Sequence, residues 1–290
     1  MKTTSRHSIR SFLAILAGVL IGLAGTSASR GADAFALVVQ KRGILQRLDI
    51  TTGTHTLIRD NSRVFDNYDY YGLAFNAERT VLFAIAGPSN QTTSNSTLVR
   101  FDPTNGVPIS ADTCGVPLST LTSLADGRLF SVGFDAKLYQ INPNSGAATV
   151  IGSTGLPNFT AGAYDNSLAS DGTTLYYTFY RSGSIRYLYI LNSTTGLATP
   201  VGPTTGTIPI VGSAFAGPSF ATGRLYAFTS TDHTFSINLA TGAATDLNHH
   251  GLTDIYGGVG VITVVTPPPT VTLADVGGCQ GQSKIGRAHV

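Results

Sequence analysis

The 290-residue chain is 42% hydrophobic and only 12% charged, with 18 basic and 16 acidic side chains, 33 Gly and a single Glu, Glu78. An ordinary globular domain is about a quarter charged. Helices facing water need Lys/Glu stripes that are missing here, so a helical bundle and a βαβ sheet are both excluded, and high apolar content with small net charge excludes disorder.

In chain order, residues 1–34 read as a secretory signal peptide. Lys2, Arg6 and Arg10 form a basic leader, Phe12–Ala24 is an apolar stretch short for a span, and small residues offer cleavage after Ala28 or Ala34. From residue 35 one phrase recurs: alternating apolar residues, then Asp or Asn, then a short turn ending in Gly. It runs Leu45–Asp49 closing at Gly53, Leu98–Asp102 at Gly106, Leu138–Asn142 at Gly146, Leu188–Asn192 at Gly196 and Thr234–Asn238 at Gly242. Alternation makes a half-buried strand. Asp or Asn caps the turn through its side-chain oxygen, and Gly accepts the positive φ that closes a hairpin.

A strand precedes each phrase: 36–39, 81–85, 129–133, 175–179 and 225–229. Before most of these lies a small-residue strand: 71–75, 121–124, 161–164 and 211–215. The turn glycines are 53, 40, 50 and 46 residues apart. Four antiparallel strands per 40–50 residues is the unit of a β-propeller blade, and Gly and Ala suit the crowded innermost position. The first unit lacks an innermost strand, while Tyr256–Val261 is left over at the end of the array. The reading is therefore all-β: a five-bladed propeller over 35–265, four strands per blade, closed when the last strand completes the first blade. A β-sandwich or solenoid of similar hairpins is the alternative.

Residues 266–283 open with Thr266-Pro267-Pro268-Pro269, an extended spacer, and read as a linker leading into a truncated element. Ile285–Val290 is the translation of a widely used sequencing adapter, so 284–290 is expected to be an artefact. Without leader and tail the net charge of +2 becomes −3, with 16 acidic and 13 basic residues after cleavage at Ala28. No basic patch remains, so nucleic acid is not an expected partner, nor is a stable membrane span once the leader is removed.

The fullest copy of the phrase, Leu138–Gly152, reads Leu-Tyr-x-Ile-Asn-Pro-x-x-Gly-Ala-Ala-Thr-x-Ile-Gly. It resembles the repeat of secreted bacterial propellers catalogued as a domain of unknown function, and the likeness is best in blades three to five. In the second unit Val107-Pro108 replaces Ala-Ala-Thr after Gly106. The resemblance implies an exported propeller and brings no catalytic residues with it.

Ligands are expected on the face carrying the connections 58–70, 110–120, 152–160, 202–210 and 247–255. The first contains Asp66, Tyr68, Asp69 and Tyr70; the last contains His249, His250, Asp254 and Tyr256. Ring closure brings these two segments into neighbouring blades. Asp and His ligate divalent ions and tyrosines stack on sugars, so the set points to a glycan or an unspecified metal, with plain structural turns as the alternative. Adjacent side chains on a strand point opposite ways, so His249 and His250 are not expected to ligate one ion together. No catalytic set is assigned and no cofactor is expected. A glycosidase needs two carboxyls, whereas Glu78 falls on the opposite face, where no site is expected. Cys114 and Cys279 could pair after export.

The expectation is a secreted, periplasmic or cell-surface propeller that binds a carbohydrate or a surface protein without catalysis. The competitors are an exported polysaccharide hydrolase or lyase using Asp66, Asp69 or Asp254, and a structural module of a larger surface protein.

Overall fold

The computed structural model describes residues 35–64, 68–88, 93–158, 166–181, 185–204, 210–214 and 224–261. Every regular element among the described residues is a strand, and the strands form five four-stranded antiparallel sheets. From the axis outward, the first blade is β20 (Ile255–Val261), β1 (Phe35–Gln40), β2 (Ile44–Asp49) and β3 (His55–Asp60). The second is β4 (Tyr68–Phe75), β5 (Leu82–Pro88), β6 (Thr97–Phe101) and β7 (Pro108–Thr113). The third is β8 (Thr122–Ser123), β9 (Leu129–Val132), β10 (Lys137–Ile141) and β11 (Ala148–Ser153). The fourth is β12 (Ser167–Ser170), β13 (Leu175–Arg181), β14 (Ile185–Leu191) and β15 (Ala198–Thr204). The fifth is β16 (Ile210–Ala214), β17 (Arg224–Thr229), β18 (Thr231–Asn238) and β19 (Ala244–Thr253). This is a five-bladed β-propeller.

The ring closes as the leftover strand suggested. β20 pairs antiparallel with β1, with Leu37 opposite Val259 and Val38 opposite Gly258. The innermost strand of the fourth blade differs from expectation. It is β12, where Ser170 pairs with Leu175 across a turn at Asp171-Gly172; the stretch 161–164 lies outside the described residues. Both segments are rich in small residues, and it is the adjoining tight turn that selects Ser167–Ser170.

The recurring phrase builds the same outer hairpin five times. In the fourth blade Asn192 Oδ1 accepts the N–H groups of Thr194 and Thr195 at 2.9 and 3.0 Å, and the Gly196 N–H donates to the Asn192 carbonyl at 2.8 Å. Asp49, Asp102, Asn142 and Asn238 are the corresponding acceptors in the other blades. The five closing glycines have φ between +69° and +82°. Each outermost strand also carries a register shift against its neighbour, and such bulges keep exposed sheet edges from pairing with other chains.

Each blade is buried on both faces. In β1, Leu37 and Val39 join the cluster shared with the second blade, whereas Ala36 and Val38 join Phe228 and Ile255 against the fifth. Three further clusters fill the remaining interfaces. One core per interface all the way round is the packing expected of a closed ring. At the axis the inner strands meet backbone to backbone: a Cβ on Gly257 would lie 2.8 Å from Gly72 Cα, and one on Gly72 would lie 2.3 Å from the Leu121 nitrogen. Any larger residue would push the blades apart.

Candidate functional site

Four of the residues expected at the mouth come together, and Lys41 is what joins them. Lys41 sits in the turn between β1 and β2. Its N–H donates to the Asp254 carbonyl at 2.8 Å, and its own carbonyl accepts the Tyr70 N–H at 3.2 Å. Its Nζ lies 3.8 Å from Asp69 Oδ2 and 5.9 Å from the centre of the Tyr256 ring. Asp254, with φ +55°, is the single residue linking β19 to β20. Lys41 and Tyr256 are half-buried and Asp254 is exposed. Asp69 is buried beside Lys41. Tyr70 packs 6.0 Å from Phe101, where burial raises its phenol well above the usual range. Tyr68 opens β4 half-buried, and Asp66 lies outside the described residues. Sequence reasoning missed Lys41, although its turn belongs to the expected face.

His249 and His250 belong to a different cluster, on the outer hairpin of the fifth blade. Strand alternation separates them as expected: the His249 side chain is 65% exposed and that of His250 fully covered. His250 Nδ1 accepts the Leu252 N–H at 3.1 Å, so its Nε2 carries the proton and donates to the His233 carbonyl at 3.2 Å. Burial lowers its pKa against the pull of Asp232. It is a neutral, structural imidazole. On the outward side His249 lies opposite His233 in the ladder, with ring centres 4.1 Å apart, and His233 Nδ1 is 2.8 Å from Asp246 Oδ2. His233 also stacks on Phe235 at 5.8 Å. Asp232, with φ +78°, lies 3.4 Å from His249 Nδ1. Desolvation would raise the Asp232 carboxyl, but the Gly251 N–H and the His249 imidazole hold it below the usual range. Asp232, His233 and Asp246 were missed. Counting outward from the Gly242 turn would have placed His233 opposite Asn248, close to its true partner.

A cavity of about 180 Å³ opens at the axis on the other face, among the turns that join first and second strands. Its wall is built by the inner strands of four blades: Phe75, Asn76 and Arg79 from the end of β4 and its turn, Thr122 and Ser123 from β8, Ser170 from β12, and Gly258–Gly260 from β20. Arg79 is its one charged lining residue among the described residues, held at φ +58° with its guanidinium 6.0 Å from the Phe75 ring centre, and burial lowers its pKa. Glu78 lies on this face, exposed, and accepts a bond from Asn76 at 2.9 Å. The concavity thus sits where no site was expected.

Tyr177 is core: its hydroxyl accepts from Asn166 at 3.1 Å and its ring stacks on Phe179. Cys114 is a free, buried thiol whose pKa is pushed up to about 12, chiefly by burial. Cys279 lies outside the described residues, as do the leader, the proline linker and the tail. Among the described residues no helix is long and apolar enough to cross a membrane.

No family model and no curated protein matches the sequence. Solved structures with a similar architecture include the PQQ-bound aldose sugar dehydrogenase of Streptomyces coelicolor, with 15% identity over 78% of this chain and 81% of that one and a TM-score of 0.49. TolB of Acinetobacter baumannii gives 12% identity over 79% and 66%, with a TM-score of 0.45. An oligogalacturonate lyase in complex with manganese gives 16% over 76% and 62%, with 0.39. The chain therefore spans about two thirds of TolB and rather less of the lyase. At such identities the likeness concerns the fold alone.

Proposed function

We propose that this chain is an exported, non-enzymatic propeller that binds a glycan, and that the axial cavity is where the sugar sits. The observation carrying this reading is the cavity's chemistry. Hydroxyls of Thr122, Ser123 and Ser170 and the amide of Asn76 stand beside the apolar wall of Phe75, and among the described residues no carboxylate or imidazole lines it. Apolar walls with a few convergent polar groups make a binding pocket. Cleavage of a glycosidic bond needs a pair of carboxyls flanking it, so the lining favours holding a sugar over breaking one. The competing hydrolase reading would use Asp66, Asp69 or Asp254, but Asp69 is buried beside Lys41, a placement that suits holding the β1–β2 turn. Export is supported by the basic and apolar leader, and kinship with secreted bacterial propellers by the Leu138–Gly152 repeat.

The test is a thermal melt of the full chain against a panel of defined oligosaccharides, with the Ser123→Trp variant, which fills the cavity, run beside it. A sugar present at 100 times its Kd should add about 2.7 kcal/mol, and the gain should vanish in Ser123→Trp while its ligand-free melt is kept. Equal gains in both proteins would move the site elsewhere and refute the cavity. If no saccharide stabilises the native chain, the glycan reading fails and a protein partner takes its place.

A further inference from the structure

We propose that His233, Asp246 and His249 bind a divalent transition ion of the zinc class on the outer hairpin of the fifth blade. One ligand atom from each lies within 4.8 Å of the others. His233 Nδ1 and Asp246 Oδ2 are hydrogen-bonded at 2.8 Å and need part by only about half an ångström to span the edge, about 3.3–3.4 Å, of a tetrahedral shell with bonds of about 2.0–2.1 Å. His249 is exposed, with its ring centre 4.1 Å from that of His233. Imidazole nitrogens with a carboxylate oxygen suit zinc, nickel or copper, whereas magnesium and calcium prefer an all-oxygen set.

Two features of the backbone assemble these donors. Residues 246 and 249 are three apart, so on a regular strand they would point to opposite faces. The register shift opposite Thr234 and Phe235 leaves Leu247 as the extra residue, so that Asp246 pairs with Phe235 while His249 pairs with His233. His233 and Phe235 share a face of β18, and both donors of β19 are thereby brought onto it. The second feature is Asp232, whose carboxylate lies 3.4 Å from His249 Nδ1. An outer carboxylate on one ring nitrogen fixes the tautomer and leaves the other nitrogen to the metal; Nε2 of His249 is the ligating atom.

Histidine usage points the same way. Of the six histidines, His7 and His289 lie in the ends, and His233, His249 and His250 lie on the β18–β19 hairpin. His250 backs the hairpin, and a Cβ built on Gly251 would lie 3.7 Å from Cε1 of His55 in the first blade. Three protein donors leave coordination positions for water or a partner's donor. The cluster lies on outer strands and the axial cavity on inner ones, so this site stands or falls independently of the glycan reading.

Zinc chloride titrated calorimetrically into the full chain tests the proposal, with magnesium chloride as the control. Because His7 and His289 could bind zinc weakly, the decisive comparison is with His233→Ala, Asp246→Asn and His249→Gln. Loss of an outer partner alone costs about 10–100-fold in metal affinity, so each substitution should cost at least tenfold. The exposed His249→Gln keeps the test valid if His233→Ala, which loses the stack on Phe235, fails to fold. Cobalt(II) in place of zinc should give visible absorption bands that the variants lose. Unchanged zinc affinity in His249→Gln and Asp246→Asn, or no binding by the native chain at millimolar zinc, overturns the proposal.

Discussion

Gly196 carries φ +82°, and a Cβ built on it would lie 2.6 Å from the carbonyl oxygen of Gly152 in the neighbouring blade. Gly115 has nearly the same φ, +75°, but nothing within 4 Å of the position its Cβ would take. The pair separates backbone strain from crowding. A left-handed conformation costs a non-glycine residue about 1–2 kcal/mol, so Gly115→Ala should lose that much in urea unfolding. Gly196→Ala should lose clearly more, because the collision is with backbone that cannot rotate away. Equal losses would mean that the turn glycines serve φ alone and do not lock blade to blade. At this scale the sequence was legible where chemistry is local. The Asp/Asn-to-Gly turns were readable residue by residue, since an Asx oxygen reaches backbone only two or three residues ahead. His233 and Asp246 were not, because their meeting depends on where β19 takes up its extra residue, and no local preference marks Leu247 for that role.

Among the elements, the turn between β12 and β13 combines capping with a charge. Asp171 Oδ1 accepts the N–H groups of Thr173 and Thr174 at 2.9 and 2.8 Å, and Oδ2 lies 3.2 Å from the Tyr176 hydroxyl. Partial burial would raise its pKa, but these bonds hold it below the usual carboxylate range. A carboxyl whose folded pKa is depressed stabilises the fold above its unfolded pKa, about 3.9, and loses that contribution as pH falls through the folded value. Asp171→Ala should therefore cost about 1–3 kcal/mol at pH 7. The gap between variant and native protein should narrow in urea titrations below about pH 4; a gap that stays constant down to pH 2 would show that the charge contributes nothing. The same turn accounts for the one misplaced strand. Ala161–Tyr164 and Ser167–Ser170 are equally small, and only the hairpin geometry beside Asp171 picks the second. Lys41 escaped notice for a related reason: nothing in the Lys41-Arg42-Gly43 turn distinguishes it from an ordinary solvated turn, and its meeting with Asp69 and Tyr256 requires the closed ring.

At the scale of the molecule, blade number and closure followed from counting hairpins against innermost strands, because the fold is a repetition and repetition is visible in a single chain. The concave face was not legible. It depends on how closely Gly72, Gly257 and their neighbours let the inner strands approach at each end of the axis, a tertiary quantity that composition does not encode. Closure through β20 underlies both the cluster joining the first and fifth blades and the part of the cavity wall formed by Gly258–Gly260. Native-state hydrogen exchange on the full chain measures it directly. In a closed ring the paired amides of β20 and β1 should exchange with the slowest class, alongside β5 and β9, in one cooperative opening. Rapid exchange across β20 while the inner strands of the other blades stay protected would contradict a closed five-bladed ring.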